Sequence, residues 1–177
     1  MIAVLPAHSG KAFEQFLTLA NEYVTWMVGE IAVQYPELDL AEFISEHSYD
    51  DLRRKFPGDQ VPPRGGLLIA RHDGVPAGCI ALGPLSDTIG EVRTLFVRPA
   101  FRGAGVGRVL VTAVLDAARV AQYKRVRLDT LGFMAGALAL YGSFGFTPIP
   151  PYLELSESLR AHIRFLELLL VDNQADS

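Results

Sequence analysis

Residues 102–108 read Arg-Gly-Ala-Gly-Val-Gly-Arg, three glycines within five positions held between two arginines, and no other stretch narrows the choice of fold as sharply. Alternate residues without a Cβ let the backbone turn tightly and expose successive N–H groups. A strand pattern, Gly90 to Arg98, precedes the loop and is stopped by Pro99; a long helical pattern follows it. The exposed amides therefore sit at a helix N-terminus, where four donors lack intrahelical acceptors and the dipole favours negative charge. Such a turn suits a phosphate or pyrophosphate, with Arg102 and Arg108 adding charge-assisted contacts. A glycine turn that holds no ligand is the alternative. Two familiar phosphate loops do not fit. A P-loop would end in Gly-Lys-Ser/Thr, but Gly107 is followed by Arg108 and Val109; a dinucleotide fingerprint needs a glycine where Arg108 stands.

The elements around the loop follow from periodicity. Phe13, Phe16, Leu17, Ala20, Tyr23, Val24 and Met27 recur at helical spacing and predict an amphipathic helix over 11–28. A second helix is expected over about 39–56, with Leu40, Phe43, Ile44 and His47 on one face, ended by Pro57-Gly58. Leu67 to Arg71 and Val75 to Leu82 read as strands joined at Asp73-Gly74, a hairpin signal. After the loop, Val106, Val109, Leu110, Ala113, Val114 and Ala117 define one face of the long helix. A strand at 125–130, a helix at 135–144, two closing strands at 152–155 and 163–171, and a polar tail at 173–177 complete the order. Strands meeting in hairpins, then strand, helix, strand, predict a mixed α/β sheet flanked by helices.

The whole-chain numbers exclude more than they select. Its 177 residues, half of them hydrophobic and a fifth charged, suit one globular domain spanning 1–177. A net charge of −4 with no basic stripe argues against nucleic acid and anionic membrane as partners. Cys79 is the lone cysteine, so no internal disulfide can form and a reducing compartment is the natural setting. Histidines 8, 47, 72 and 162 lack metal-ligand spacing, so no metal is expected. With no signal-like start and no stretch of roughly 20 apolar residues, the expected location is cytoplasmic.

Three segments in this order resemble the GNAT N-acetyltransferase superfamily: the loop Arg102-Gly103-Ala104-Gly105-Val106-Gly107-Arg108, the strand Glu91 to Pro99 before it, and Arg127-Leu128-Asp129-Thr130 followed by Ala137 to Phe146. Phe56-Pro57-Gly58 with Pro62-Pro63, and Ile149 to Tyr152 with Phe165 to Leu168, are similar to one group of bacterial members. The resemblance implies a mostly antiparallel central sheet whose middle strands splay apart. It also implies acetyl-coenzyme A as cosubstrate, its pyrophosphate on residues 102–108 and its pantetheine beside the backbone of Leu95, Phe96 and Val97. The expected reaction is direct transfer of an acetyl group to an amine in a ternary complex. The acceptor would be a small molecule, a peptide N-terminus or a lysine; a non-catalytic acyl-coenzyme A-binding regulatory module with the same fold is the alternative.

The resemblance further assigns Tyr141 as the acid beside the coenzyme sulfur and Glu91 as the base, directly or through water. On a regular strand Glu91, Arg93, Leu95 and Val97 would share one face, and an ion pair between Glu91 and Arg93 is the competing role for that carboxylate. Gly83 and Arg93-Thr94 depart from the group, whose members carry arginines at positions 83 and 94. Asp129 and Thr130 are expected to cap a strand end, with contact to coenzyme or substrate as the alternative; Cys79 is expected to be buried filler, and Tyr23 and Trp26 to belong to the core, with the lining of an acceptor pocket as their alternative. The C-terminal strands leave a homodimer open.

Overall fold

The computed structural model describes residues 1–41 and 48–170. Its strands are β1 (Ile2–Pro6), β2 (Gly66–His72), β3 (Val75–Pro84), β4 (Ile89–Val97), β5 (Arg125–Leu131), β6 (Thr147–Pro148) and β7 (Ile163–Leu169). The helices are α1 (Gly10–Gln34), α2 (Tyr49–Lys55), α3 (Val106–Val120), α4 (Ala135–Ser143) and α5 (Glu157–Arg160). One sheet runs in the order β1-β2-β3-β4-β5-β7-β6. Every neighbouring pair is antiparallel except β4 and β5, which are parallel.

Strand alternation divides the core between the two faces of the sheet. Leu67, Ile69, Cys79 and Ala81 pack with Phe16, Leu19 and Leu52 from α1 and α2. Their neighbours Ala70, Ile80 and Leu82 pack with Val106, Leu110 and Val114 of α3 on the other side. The β2–β3 hairpin turns at Asp73 and Gly74, at φ 48° and 83°, the left-handed pair that a tight two-residue turn requires.

Several expectations are corrected. An N-terminal strand, β1, pairs with β2 along Ile2–Pro6 where none was expected; five residues at a sheet edge carry too short an alternation to announce themselves. The first helix continues to Gln34, since Gly29 is exposed and Ile31 is buried beyond it. In the second helical stretch, Phe43, Ile44 and His47 lie outside the described residues, and α2 starts afresh at Ser48. There the Ser48 side chain accepts from the Asp51 amide while Asp51 accepts from the Ser48 amide. The buried face of α3 includes Val111, Leu115 and Ala118, so it is rotated from the expected stripe toward the sheet. Residues 152–155 form no strand: β6 is the two residues Thr147–Pro148, and prolines 148, 150 and 151 break the run that follows.

Candidate functional site

The site begins where β4 and β5 stop pairing. Their parallel register covers only Ile89–Arg125, Gly90–Val126 and Glu91–Arg127. Beyond Glu91 the edge of β4 that faces β5 has no strand partner among the described residues. The same stretch carries a bulge: Cys79 pairs with Phe96 and Ala81 with Arg93, so Thr94 and Leu95 together oppose Ile80. Thr94 is left-handed at φ 55°, a conformation that costs a non-glycine residue about 1–2 kcal/mol. Its carbonyl accepts the Cys79 thiol at 3.6 Å.

The extra residue shifts the side-chain alternation by one. Phe96 therefore joins the α1-side core. Leu95 and Val97 pack toward α3. The single face expected for Glu91, Arg93, Leu95 and Val97 is thus broken in two, with the carboxylate and the guanidinium on one side of the bulge and the apolar pair on the other.

Two adjoining cavities open from the split. One, of about 750 Å³, is lined by Leu95, Phe96 and Val97, by Arg102, Gly103, Gly105, Val106, Gly107 and Arg108, and by α4 residues including Leu140. The other, of about 1030 Å³, is lined by Glu91, Arg93, Asp129, Tyr141 and residues of α1, α2 and α5. Tyr23, Leu95, Met134 and Ala137 line both and mark the junction. Every loop residue expected to bind the coenzyme lies on the first cavity except Ala104, which is exposed in the same turn but is not on its wall.

In the loop, Gly103 and Gly105 adopt φ 80° and 87°, which turns the chain into α3. Gly105 is the N-cap and no side chain caps the helix, so its first amides are left to solvent or a ligand. The arginines are already engaged. Arg102 donates to the Val97 carbonyl at 3.2 Å and lies 4.9 Å over the Trp26 ring. Arg108 donates to Ser143 Oγ at 3.1 Å.

At the other end, Glu91 is 6% exposed and both its oxygens are held. Arg93 Nε donates to Oε2 at 2.5 Å, and the Tyr152 hydroxyl donates to Oε1 at 3.1 Å. Arg93 also reaches Asp59 at 3.2 Å. At position 83 a Cβ would come within 2.8 Å of Arg93 Nη1, the far end of a flexible side chain. The guanidinium of Arg93 fills that space from the neighbouring strand.

Asp129 is two residues inside the end of β5, so it is no strand-end cap. It keeps accessible surface because it faces the cleft, and the surrounding protein still desolvates it. Desolvation first, then the negative charge of Glu91, raises its carboxyl from 3.8 to about 6, against a smaller pull from Arg93. Tyr141 is 5% exposed. Burial pushes its hydroxyl well above the ordinary tyrosine value, so it keeps its proton at neutral pH. Cys79 is fully buried and its thiol is pushed up by desolvation, which removes it as a nucleophile. Tyr23 and Trp26 pack on Phe96 and also face the cavities, so they are walls as well as core. Tyr152 and Gln60 carry no sequence signal that marks them as site residues, whereas Asp129 was open to contact with coenzyme or substrate as the alternative to a strand-end cap.

Residues 27–146, two thirds of the chain, match the sequence profile of the Acetyltransferase (GNAT) family. The chain belongs to that family. An uncharacterised N-acetyltransferase of Schizosaccharomyces pombe is 38% identical over 93 residues, covering 51% of this chain and 57% of the relative. The IAA acetyltransferase of Azospirillum brasilense is 37% identical over 90 residues, covering 49% of this chain and 59% of the relative. The matches thus span somewhat over half the length of these two GNAT relatives. Among solved structures, the PaiA N-acetyltransferase of Thermoplasma acidophilum in complex with coenzyme A superposes with a TM-score of 0.68 at 17% identity, covering 96% of this chain and 99% of that one. At that identity the likeness establishes the GNAT fold. Among the described residues no helix is long and apolar enough to cross a membrane.

Proposed function

We propose that this chain is an N-acetyltransferase that moves an acetyl group from acetyl-coenzyme A to a primary amine by direct attack in a ternary complex. The observation that carries this reading is the continuous cleft made by the parting of β4 and β5, with an uncapped helix N-terminus at one end and a carboxylate–tyrosine cluster at the other.

The residues present fit the coenzyme. The turn at 102–105 is exposed, and Gly105 leaves the first amides of α3 without a side-chain cap, as a pyrophosphate requires. The free edge of β4 at Leu95 to Val97 offers main-chain groups to an amide-bearing pantetheine arm. When bound, acetyl-coenzyme A supplies an acetyl group activated as a thioester. The chain's own part is to hold two partners at the junction of the cavities, to exclude water and to move protons. An alkylammonium titrates near 10, so a base must take a proton before the nitrogen can attack. Tyr141, protonated at neutral pH, is the donor for the departing sulfur. Relatives of the family act on different acceptors by name, an amino acid in one and mycothiol in others, so the acceptor must come from this chain's own cavity.

The test is calorimetric titration with acetyl-coenzyme A, ATP and NAD, followed by release of free thiol against a panel of amines. Binding of acetyl-coenzyme A alone, with amine-dependent thiol release, is the expected result. Saturation at about 100 times Kd would also stabilise the fold by about 2.7 kcal/mol. Binding of ATP or NAD in its place, or binding with no thiol release from any amine, would overturn the transferase reading.

A further inference from the structure

Resting on the transferase reading, we propose that the acceptor is a primary amine with an apolar body and no carboxylate, and that Asp129, not Glu91, receives its nitrogen and takes its proton. Glu91 is ill placed for that work. It is 6% exposed, and Arg93 and Tyr152 occupy both oxygens. Asp129 faces the second cavity and makes no ion pair with any described residue. Extending the parallel register would set Arg93 across from Asp129, but the strands have parted by then, so the gap between them is open to a guest. Gln60, 6% exposed on the same cavity, leaves Oε1 with no partner, a buried acceptor that the protein does not satisfy.

The charges facing Asp129 agree. On β4 these are Glu91 and Arg93; from α1, Tyr23; from α4, Tyr141; from the segment after β6, Tyr152; on its own strand, Arg127, which pairs with Glu167 at 2.7 Å. Arg93 is committed to Glu91 and Asp59, and Lys55, on the same cavity, has its own partner. Among the described residues that line this cavity no cation is left for a carboxylate on the acceptor, which would be buried beside carboxylates of the protein. Much of the remaining wall is apolar, with Val24, Met27 and Ile31 on α1 and Leu153, Leu159 and Ile163 opposite, while Asp39, Ser156 and Ser158 are among its polar residues. The apolar stretch suits a hydrocarbon body, so an amine that carries one is expected to bind in preference to a polyamine. With a carboxyl near 6, Asp129 is ionised at neutral pH and still basic enough to share in proton transfer. One proton passes from the ammonium to Asp129 and on to solvent. The second is freed as the N–C bond forms and the C–S bond breaks, and it ends on the coenzyme sulfur.

The experiment titrates 2-phenylethylamine, phenylalanine and spermidine into the wild-type chain by calorimetry, with and without coenzyme A. Phenylethylamine should bind at least about tenfold more tightly than the other two, and Asp129→Asn should lose at least about tenfold of that affinity. Phenylalanine or spermidine binding as tightly, or an unchanged Kd in Asp129→Asn, overturns the proposal. The pH profile separates the two carboxylates. Turnover of phenylethylamine should rise with pH through about 6, and Glu91→Gln should move that rise to lower pH by removing the charge that elevates Asp129. Loss of the rise in Glu91→Gln together with its survival in Asp129→Asn would return the role to Glu91. Failure to bind acetyl-coenzyme A would sink the transferase reading, whereas the amine titrations without coenzyme decide separately whether Asp129 receives the amine.

Discussion

Around residues 102–108 the cleft offers main chain; around Glu91 and Asp129 it offers side chains carried by β4, β5, the loop after α2 and the segment after β6. The first half is consecutive in the chain, and its chemistry is a string of amides at a helix start. The second half exists only when separated segments fold together, and its chemistry is a balance among neighbouring charges. The bulge at Thr94–Leu95 lies between them and serves both. It turns Leu95 and Val97 toward the α3 side while leaving Glu91 and Arg93 facing the other cavity. A site of main chain tolerates side-chain drift, whereas a site of balanced charges changes character with one substitution.

The comparison can be broken most forcefully at Arg93. Arg93→Ala leaves Glu91 buried with its main partner gone, and should cost about 3 kcal/mol of stability in denaturant unfolding. That is the low end for breaking a buried pair, because Arg93 keeps 33% of its side chain exposed. A loss below about 0.5 kcal/mol would show that water reaches Glu91. Tyr141→Phe should lower kcat by about 100-fold while the Kd for coenzyme A stays within about twofold; unchanged turnover would remove Tyr141 from the acid role.

Gly105→Ala tests the main-chain half. A Cβ there would meet only Ile2 at 4.0 Å, so the penalty is conformational. Forcing alanine to φ 87° should cost about 1–2 kcal/mol and weaken coenzyme binding, with the amine titration unaffected. Equal loss in both titrations would mean that the halves are not separable. The smallest effect is one of sign. Folding raises the Asp129 carboxyl from 3.8 to about 6, so the stability linked to its proton is full below 3.8 and is lost as pH rises through 6. Asp129→Asn should therefore gain in melting temperature relative to wild type at pH 7–8 compared with pH 3–4. A reversed trend would mean that the ionised carboxylate is stabilised in the fold.

Local chemistry explains what could be read in advance. The loop, the hairpin at Asp73-Gly74 and the long helix announce themselves because glycine placement and periodicity act over a few residues. The rotated face of α3 and the missing strand at 152–155 were misread because the sheet, not the helix itself, selects the buried stripe, and because β7 finds β5 as its partner along its whole length. Asp129 looked like a cap because nothing nearby in the chain shows that its neighbours are Glu91 and Arg93.

By itself the amino-acid sequence determined the strand–glycine turn–helix, the family likeness and the hairpin order, since each rests on spacing within one segment. Tertiary structure alone decided that β4 and β5 part after three pairs, that a bulge reverses the faces of β4, and that Glu91 is bound while Asp129 is open. Those outcomes depend on which charges and edges meet across long loops, and electrostatic and packing energies of that kind have no counterpart in local spacing.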